Sequence, residues 1–219
     1  MILTFDRVLA LGAHTDDVEL GCGGTMSRLR QSGAELHVHA LSRAEASLPA
    51  GAAADTLERE FNESMALLQP ASASVHRIPV RNFPQYRQDI LETLVSLKRS
   101  LQPDLVLTHA STDTHQDHRV VHEECVRAFR GITILGFEIP WNQSHSTTNA
   151  HVQLREEDLE LKERMLAQYT SQQQLGRGYT GASFIHSAAV FRGHQARIDL
   201  AEAFEVISLV WKASSHGQD

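Results

Sequence analysis

The stretch Val8–Thr25, VLALGAHTDDVELGCGGT, constrains this chain more than any other. Val8-Leu9-Ala10-Leu11 is an apolar run too short for a helix, and Gly12 closes it. So early in a chain it reads as a buried central strand of a parallel sheet. His14, Asp16 and Asp17 follow at once, then Glu19 and the glycines Gly21, Gly23 and Gly24. The carboxyl end of a buried strand is where an open α/β sheet places its ligands. An imidazole nitrogen with a carboxylate oxygen suits a divalent metal such as zinc, and the second carboxylate stays free to move protons. The same residues also suit a capped turn, because Asp and His are common loop and N-cap residues.

Downstream, strand and helix patterns alternate. Thr25 to Ser32 reads as a short helix ending at Gly33. Glu35 to Ser42 alternates apolar and polar residues like a strand, with His37 and His39 needing no special role. Arg43 to Ala54 reads as a loop over the carboxyl edge of the sheet. Asp55 to Leu68 is an amphipathic helix that Asp55 can cap. Val75 to Val80 reads as a third strand, Gln85 to Leu101 as a helix, and Leu105 to Leu107 as another buried strand. This alternation predicts an α/β fold: a doubly wound, Rossmann-like, mostly parallel sheet flanked by helices. The 219 residues suffice for one such domain, expected over 1–211, with a polar tail over 212–219.

A second polar cluster, Ser111 to Arg119, follows the Leu105 strand. It too lies at a carboxyl end, so both loops should open on one edge of the sheet. Two His/Asp clusters meeting there are hard to explain as turns, and they point to a metal hydrolase. Spacing alone leaves open which histidine closes the site. His118 and His122 are i, i+4 on a helical pattern, whereas His115 and His118 lie nearer the loop. A catalytic zinc needs three protein ligands and an open position. His14, Asp17 and His118 supply that set and leave His115 as a proton donor.

The combination AHTDD-x-E-x-G-x-G-G with D-T-H-x-D-H-R resembles the PIG-L/LmbE-like zinc-dependent N-deacetylases, whose first motif usually reads AHPDD-x-E. The likeness continues through Glu138–Asn142, Tyr169-x-Ser171-Gln172 and Ala201–Glu205. It implies one zinc ion held by His14, Asp17 and His118, with Asp16 as general base. It assigns His115 to the oxyanion or the leaving amine, and Asp117 to orienting an imidazole. It also implies an N-acetylated amino sugar or sugar conjugate as the small-molecule substrate, with hydrolysis removing the acetyl group. Thr15 stands where the family usually has proline, which predicts a less rigid loop without loss of metal. The family's second helix often opens with a substrate-contacting arginine. That position here is Leu57, so Arg59 and Arg43 are the candidates.

In the last third, Gly131 to Phe137 holds a strand and Glu156 to Tyr169 a helix. Ser183 to Phe191 reads as helical and Glu205 to Trp211 as the final strand. Trp141 reads either as packing or as a platform for a sugar ring, with Asn142 beside it on a polar lip. Glu202 and Glu205 read as structural.

Other classes fit less well. A formal net charge of −7 argues against broad nucleic-acid or anionic-membrane binding. No stretch reaches the length of a membrane span. Asp6 and Arg7 interrupt the N-terminal apolar residues and no basic segment leads them, so the expectation is cytoplasmic. Cys22 and Cys125 read as buried small residues rather than a disulfide framework. The Gly21-Cys22-Gly23-Gly24 run lacks nucleotide-binding G-x-G-x-x-G spacing. A non-catalytic receiver-like signalling module would need an Asp at the end of the third strand, and Pro79-Val80-Arg81 offers none. Self-association is compatible with this length, but the sequence carries no interface signal.

Overall fold

A computed structural model describes residues 4–211. The 212–219 tail lies outside the described residues. Seven strands form one sheet: β1 (Arg7–Gly12), β2 (Glu35–Ala40), β3 (Ser72–Val75), β4 (Leu105–His109), β5 (Thr133–Phe137), β6 (Ala150–Gln153) and β7 (Ala201–Ser208). Their order is β3-β2-β1-β4-β5-β7-β6. The first five are parallel, and β7 runs antiparallel to both β5 and β6. The strand order reverses between β1 and β4, so the loops leaving these two strands part there and open a crevice.

The helices are α1 (Asp17–Gln31), α2 (Thr56–Leu68), α3 (Arg87–Leu101), α4 (Gln116–Ala128), α5 (Glu156–Leu166), α6 (Thr170–Gln174) and α7 (Ala182–Ala196). Strand periodicity sorts them into two layers. Val8 and Ala10 of β1 pack with residues of α1, α2, α5 and α7. Leu9 and Leu11 pack with residues of α3 and α4. Both cysteine thiols are buried and free. Among the described residues, no helix is long and apolar enough to cross a membrane.

Several elements differ from the sequence expectation. The first helix starts at Asp17 rather than Thr25 and runs through the glycines. Those glycines are required by packing. A Cβ on Gly21 would overlap the Phe137 ring, and one on Gly24 would sit 2.6 Å from a Leu154 methyl. The helix kinks at Cys22 (φ −148°, ψ 24°). Glu202 accepts the N–H groups of Gly24 (3.0 Å) and Thr25 (2.7 Å) beyond the kink, and Lys162 pairs with it at 2.7 Å. The third strand is Ser72–Val75, not Val75–Val80. After Val75 the chain keeps only the single bonds from His76 N–H to Ala40 and Ile78 N–H to Leu41, and Pro79 has no N–H to donate. The last strand begins at Ala201 rather than Glu205, and the sequence gives no expectation of β6. Asp55 precedes α2 without a side-chain capping bond.

Adding a methyl at Gly21 should overpack the α1–β5 contact. Gly21→Ala is expected to lose about 1–3 kcal/mol of stability in urea unfolding; an unchanged midpoint would contradict this packing.

Candidate active site

The crevice between the β1 and β4 loops holds His14, Asp16, Asp17, His115 and His118, all lining one cavity of about 250 Å³. Asp16 and Asp17 open α1; His115 and His118 open α4. The two helix starts face each other because β1 and β4 are sheet neighbours.

Three donor atoms converge. His14 Nδ1 lies 3.2 Å from His118 Nε2 and 3.4 Å from Asp17 Oδ2, and His118 Nε2 lies 3.5 Å from Asp17 Oδ2. The edge of a tetrahedral zinc site with bonds of 2.0–2.1 Å is about 3.3 Å. The outer nitrogens of both imidazoles are already committed. His118 donates Nδ1–H to Asp113 at 2.8 Å, and His14 donates Nε2–H to Asp117 at 3.0 Å. In its neutral form each ring therefore turns a lone pair inward, the arrangement that suits metal-ligating histidines. Asp17 Oδ2 also accepts the His14 N–H at 2.7 Å, which fixes the loop between them.

Two other groupings bring donor atoms equally close, His14/His115/His118 and Asp17/His109/His118. Each contains a histidine with no lone pair to spare. His109 Nε2 accepts the Ala13 N–H at 3.0 Å, and its ring stacks on His118 with centroids 4.0 Å apart. His115 caps α4, its Nδ1 accepting the Asp117 N–H at 3.2 Å. Its remaining nitrogen is then the N–H donor. His122 donates to the His109 carbonyl at 2.9 Å and does not line the cavity.

The electrostatics favour a cation. Burial works against charge on His14, yet Asp17 and Asp117 outweigh it and push its pKa up to about 10. Burial likewise opposes charge on Asp17, but His118 and His14 hold it well below the usual carboxylate range. Asp16 differs. Burial and the adjacent Asp17 raise it to about 6, with His14 and Arg177 pulling the other way. Although it occupies the N-cap position, its side chain makes no capping bond. It is a buried carboxylate facing the cavity with proton affinity near neutrality. Burial, followed by His14, lowers the His115 pKa and keeps that ring neutral.

Asp117 orients His14, while only its main chain touches His115. It also accepts the N–H groups of Arg81 (2.7 Å) and Phe83 (3.4 Å), which ties the β3–α3 loop to the site. Asp113, quoted in the sequence motif without a role, fixes His118. Trp141 and Asn142 line the cavity, with Trp141 stacked on Tyr179 at 3.9 Å. Arg59 is not brought in; it lies at the surface beside Asp55. Arg43 pairs with Glu45 at 3.5 Å and is not in the lining. Instead Arg81, Gln172, Arg177 and Tyr179 face the cavity. Gln172 falls in the Tyr169-x-Ser171-Gln172 segment of the resemblance, but no sequence pattern marks Arg81, Arg177 or Tyr179, whose segments converge only through the fold. Glu205 accepts the Ser111 N–H and hydroxyl, both at 2.7 Å, outside the cavity.

Thr15 is fully buried, and its carbonyl accepts the Tyr169 hydroxyl at 2.6 Å. That hydroxyl also lies 2.7 Å from Glu19 Oε1. A phenol has one hydrogen, and the carbonyl can only accept it. Glu19 must then supply the proton of the second bond, which agrees with burial pushing its pKa up to about 8. This tether holds the loop that proline would otherwise stiffen. The receiver-like alternative gains nothing from the corrected strand, since His76 and Arg77 follow Val75.

A doubly wound sheet with buried His and Asp side chains gathered at its switch point has the site arrangement of an α/β enzyme. Residues 9–129 match the model of the PIG-L family, described as GlcNAc-PI de-N-acetylase. The chain is 31% identical over 144 residues to the uncharacterized deacetylase YaiS of Escherichia coli K12, covering 61% of this chain and 74% of that one. The chain belongs to the PIG-L family of deacetylases. Its fold is similar to that of the N,N'-diacetylchitobiose deacetylase of Pyrococcus horikoshii (TM-score 0.73, 18% identity, 93% of this chain and 84% of that one). It is also similar to GalB, the 4-carboxy-2-hydroxymuconate hydratase of Pseudomonas putida KT2440 (TM-score 0.76, 20% identity, 95% and 99% covered). These two likenesses concern the fold.

Because Glu19 has a higher pKa folded (about 8) than its ordinary 4.5, its contribution is full below pH 4.5 and is lost as pH rises through 8. The stability of wild type relative to Glu19→Gln is expected to fall across that window in denaturant titrations. A difference independent of pH would contradict a protonated Glu19.

Proposed function

We propose that this chain is a zinc-dependent N-deacetylase that removes an acetyl group from an N-acetylated amino sugar or sugar conjugate. The observation that carries the proposal is the triangle of His14 Nδ1, His118 Nε2 and Asp17 Oδ2 beside the unengaged carboxylate of Asp16. Family membership supports deacetylation, and the family description supports the amino sugar.

In this reading His14, Asp17 and His118 hold one zinc ion; another divalent metal would meet the same donors. Bound there, the ion would polarise the acetyl oxygen and lower the pKa of water. The remaining work belongs to the chain. Asp16 takes the proton from the attacking water, a task suited to a carboxylate with a pKa near 6. Neutral His115 directs its free N–H toward the oxygen that gains charge, and the departing amine takes the proton that Asp16 removed from water. Asp113 and Asp117 keep the two ligand imidazoles in the ligating tautomer. Trp141 offers a ring face at the cavity, and Asn142 anchors that wall, its carbonyl accepting the Thr114 N–H at 2.9 Å. The cavity lies at the small end of ligand sites and suits one sugar unit.

Amine release from a panel of N-acetylated sugars, with and without chelator, tests this directly. Release that chelator abolishes and zinc restores is expected; chelator-insensitive release would remove the metal mechanism. Asp16→Asn should retain metal and lose roughly 10²–10⁴-fold in kcat. Wild-type turnover in that variant would remove Asp16 as base. Asp113→Asn should weaken metal affinity by roughly 10–100-fold, measured by competition with a metal indicator; unaltered affinity would contradict its role in holding His118.

A further inference from the structure

We propose that the substrate carries an anionic group, a phosphate or a carboxylate, and that Arg81 and Arg177 bind it. The identity of the rest of the ligand as an amino sugar rests on the deacetylase reading; the anion does not.

The two arginines come from separate segments, the β3–α3 loop and the connector between α6 and α7, yet both line the cavity of His14, Asp16 and His115. Among the described residues, neither forms an ion pair. The two arginines favoured from the sequence, Arg43 and Arg59, each do and lie outside the cavity. Arg177 is held by a neutral partner instead, donating to Gln172 Oε1 at 2.5 Å. Gln172 is itself buried and donates to the Ser171 hydroxyl at 3.0 Å, which in turn donates to Glu60 at 2.7 Å. This chain of bonds positions a guanidinium without neutralising it.

Arg81 is held differently. Its backbone is left-handed, with φ +67°, a conformation uncommon for a long side chain. The bond from its N–H to Asp117 keeps it there. Asp117 also orients His14, so the turn carrying Arg81 is locked to the proposed metal site. Backbone strain maintained at a site points to a function for the residue that bears it.

Asp16 and Asp17 are the carboxylates facing the cavity. Asp113 and Asp117 lie behind them, bonded to the His118 and His14 imidazoles and not to either guanidinium. Neutral sugar hydroxyls have no need of two unpaired guanidiniums. Phosphate and carboxylate oxygens match their paired donors.

The test is equilibrium binding to the zinc-loaded full chain at fixed ionic strength. The probes are glucosamine, glucosamine 1-phosphate, glucosamine 6-phosphate and muramic acid, which carries a carboxylate. At least one anionic probe is expected to bind tenfold or more tightly than glucosamine; which one does so separates phosphate from carboxylate. Arg81→Gln and Arg177→Gln should each remove most of that preference while weakening glucosamine binding far less. No preference for any anionic probe would overturn the proposal. A preference that survives in both variants would place the anion on the metal and also overturn it. Amine release from the N-acetylated counterparts is read separately. Anion preference without amine release would keep this inference and reject deacetylation. Amine release without preference would do the reverse.

Discussion

A histidine can offer a lone pair only from a nitrogen that carries no proton, so something must hold the proton on the other nitrogen. In this chain two buried carboxylates do so, Asp113 for His118 and Asp117 for His14. They stand four residues apart, Asp113 in the loop before α4 and Asp117 in its first turn. Their second oxygens and neighbours spread the constraint outward: Asp113 also accepts the His115 N–H at 2.9 Å, and Asp117 gathers the Arg81–Phe83 turn. One helix N-terminus thus sets the tautomers of two histidines, the position of a third and the conformation of a cavity wall. The same bonds distinguish among the three donor groupings, because His109 and His115 have each spent a nitrogen on a backbone N–H.

The β1–β4 switch point explains why these groups meet at all. Neighbouring parallel strands deliver their following loops to one edge, and here the helices depart to opposite faces of the sheet. That much was legible in the chain: a short apolar run followed by His14-Thr15-Asp16-Asp17, and another followed by Asp113 to His118. The parallel arrangement was legible too, because strand and helix patterns alternate.

The rest depended on contacts that a local pattern does not carry. The glycines masked the true start of α1, since their value lies in the approach of Phe137 and Leu154 from distant strands. The third strand was misplaced because Val75–Val80 is apolar enough for a strand yet leaves the sheet after Val75. Arg59 had the right chemistry on the wrong face of α2, while Arg177 and Tyr179 sit in a glycine- and glutamine-rich connector with no periodicity to mark them. The tether from Thr15 through Tyr169 to Glu19 spans about 150 positions of sequence, with partners 154 and 150 residues apart. It removes the reason to expect a loose loop in the absence of proline. A fold of this kind serves more than one chemistry, so deacetylation is argued from the residues of the site and from family membership.

The most direct test is a crystal structure of the zinc-loaded protein with anomalous data at the zinc edge. One ion bound by His14 Nδ1, Asp17 and His118 Nε2, with Asp16 uncoordinated, is the expected result. Zinc held through His109 or His115 in place of one of those three, or no ordered ion in the crevice, would contradict the proposed centre.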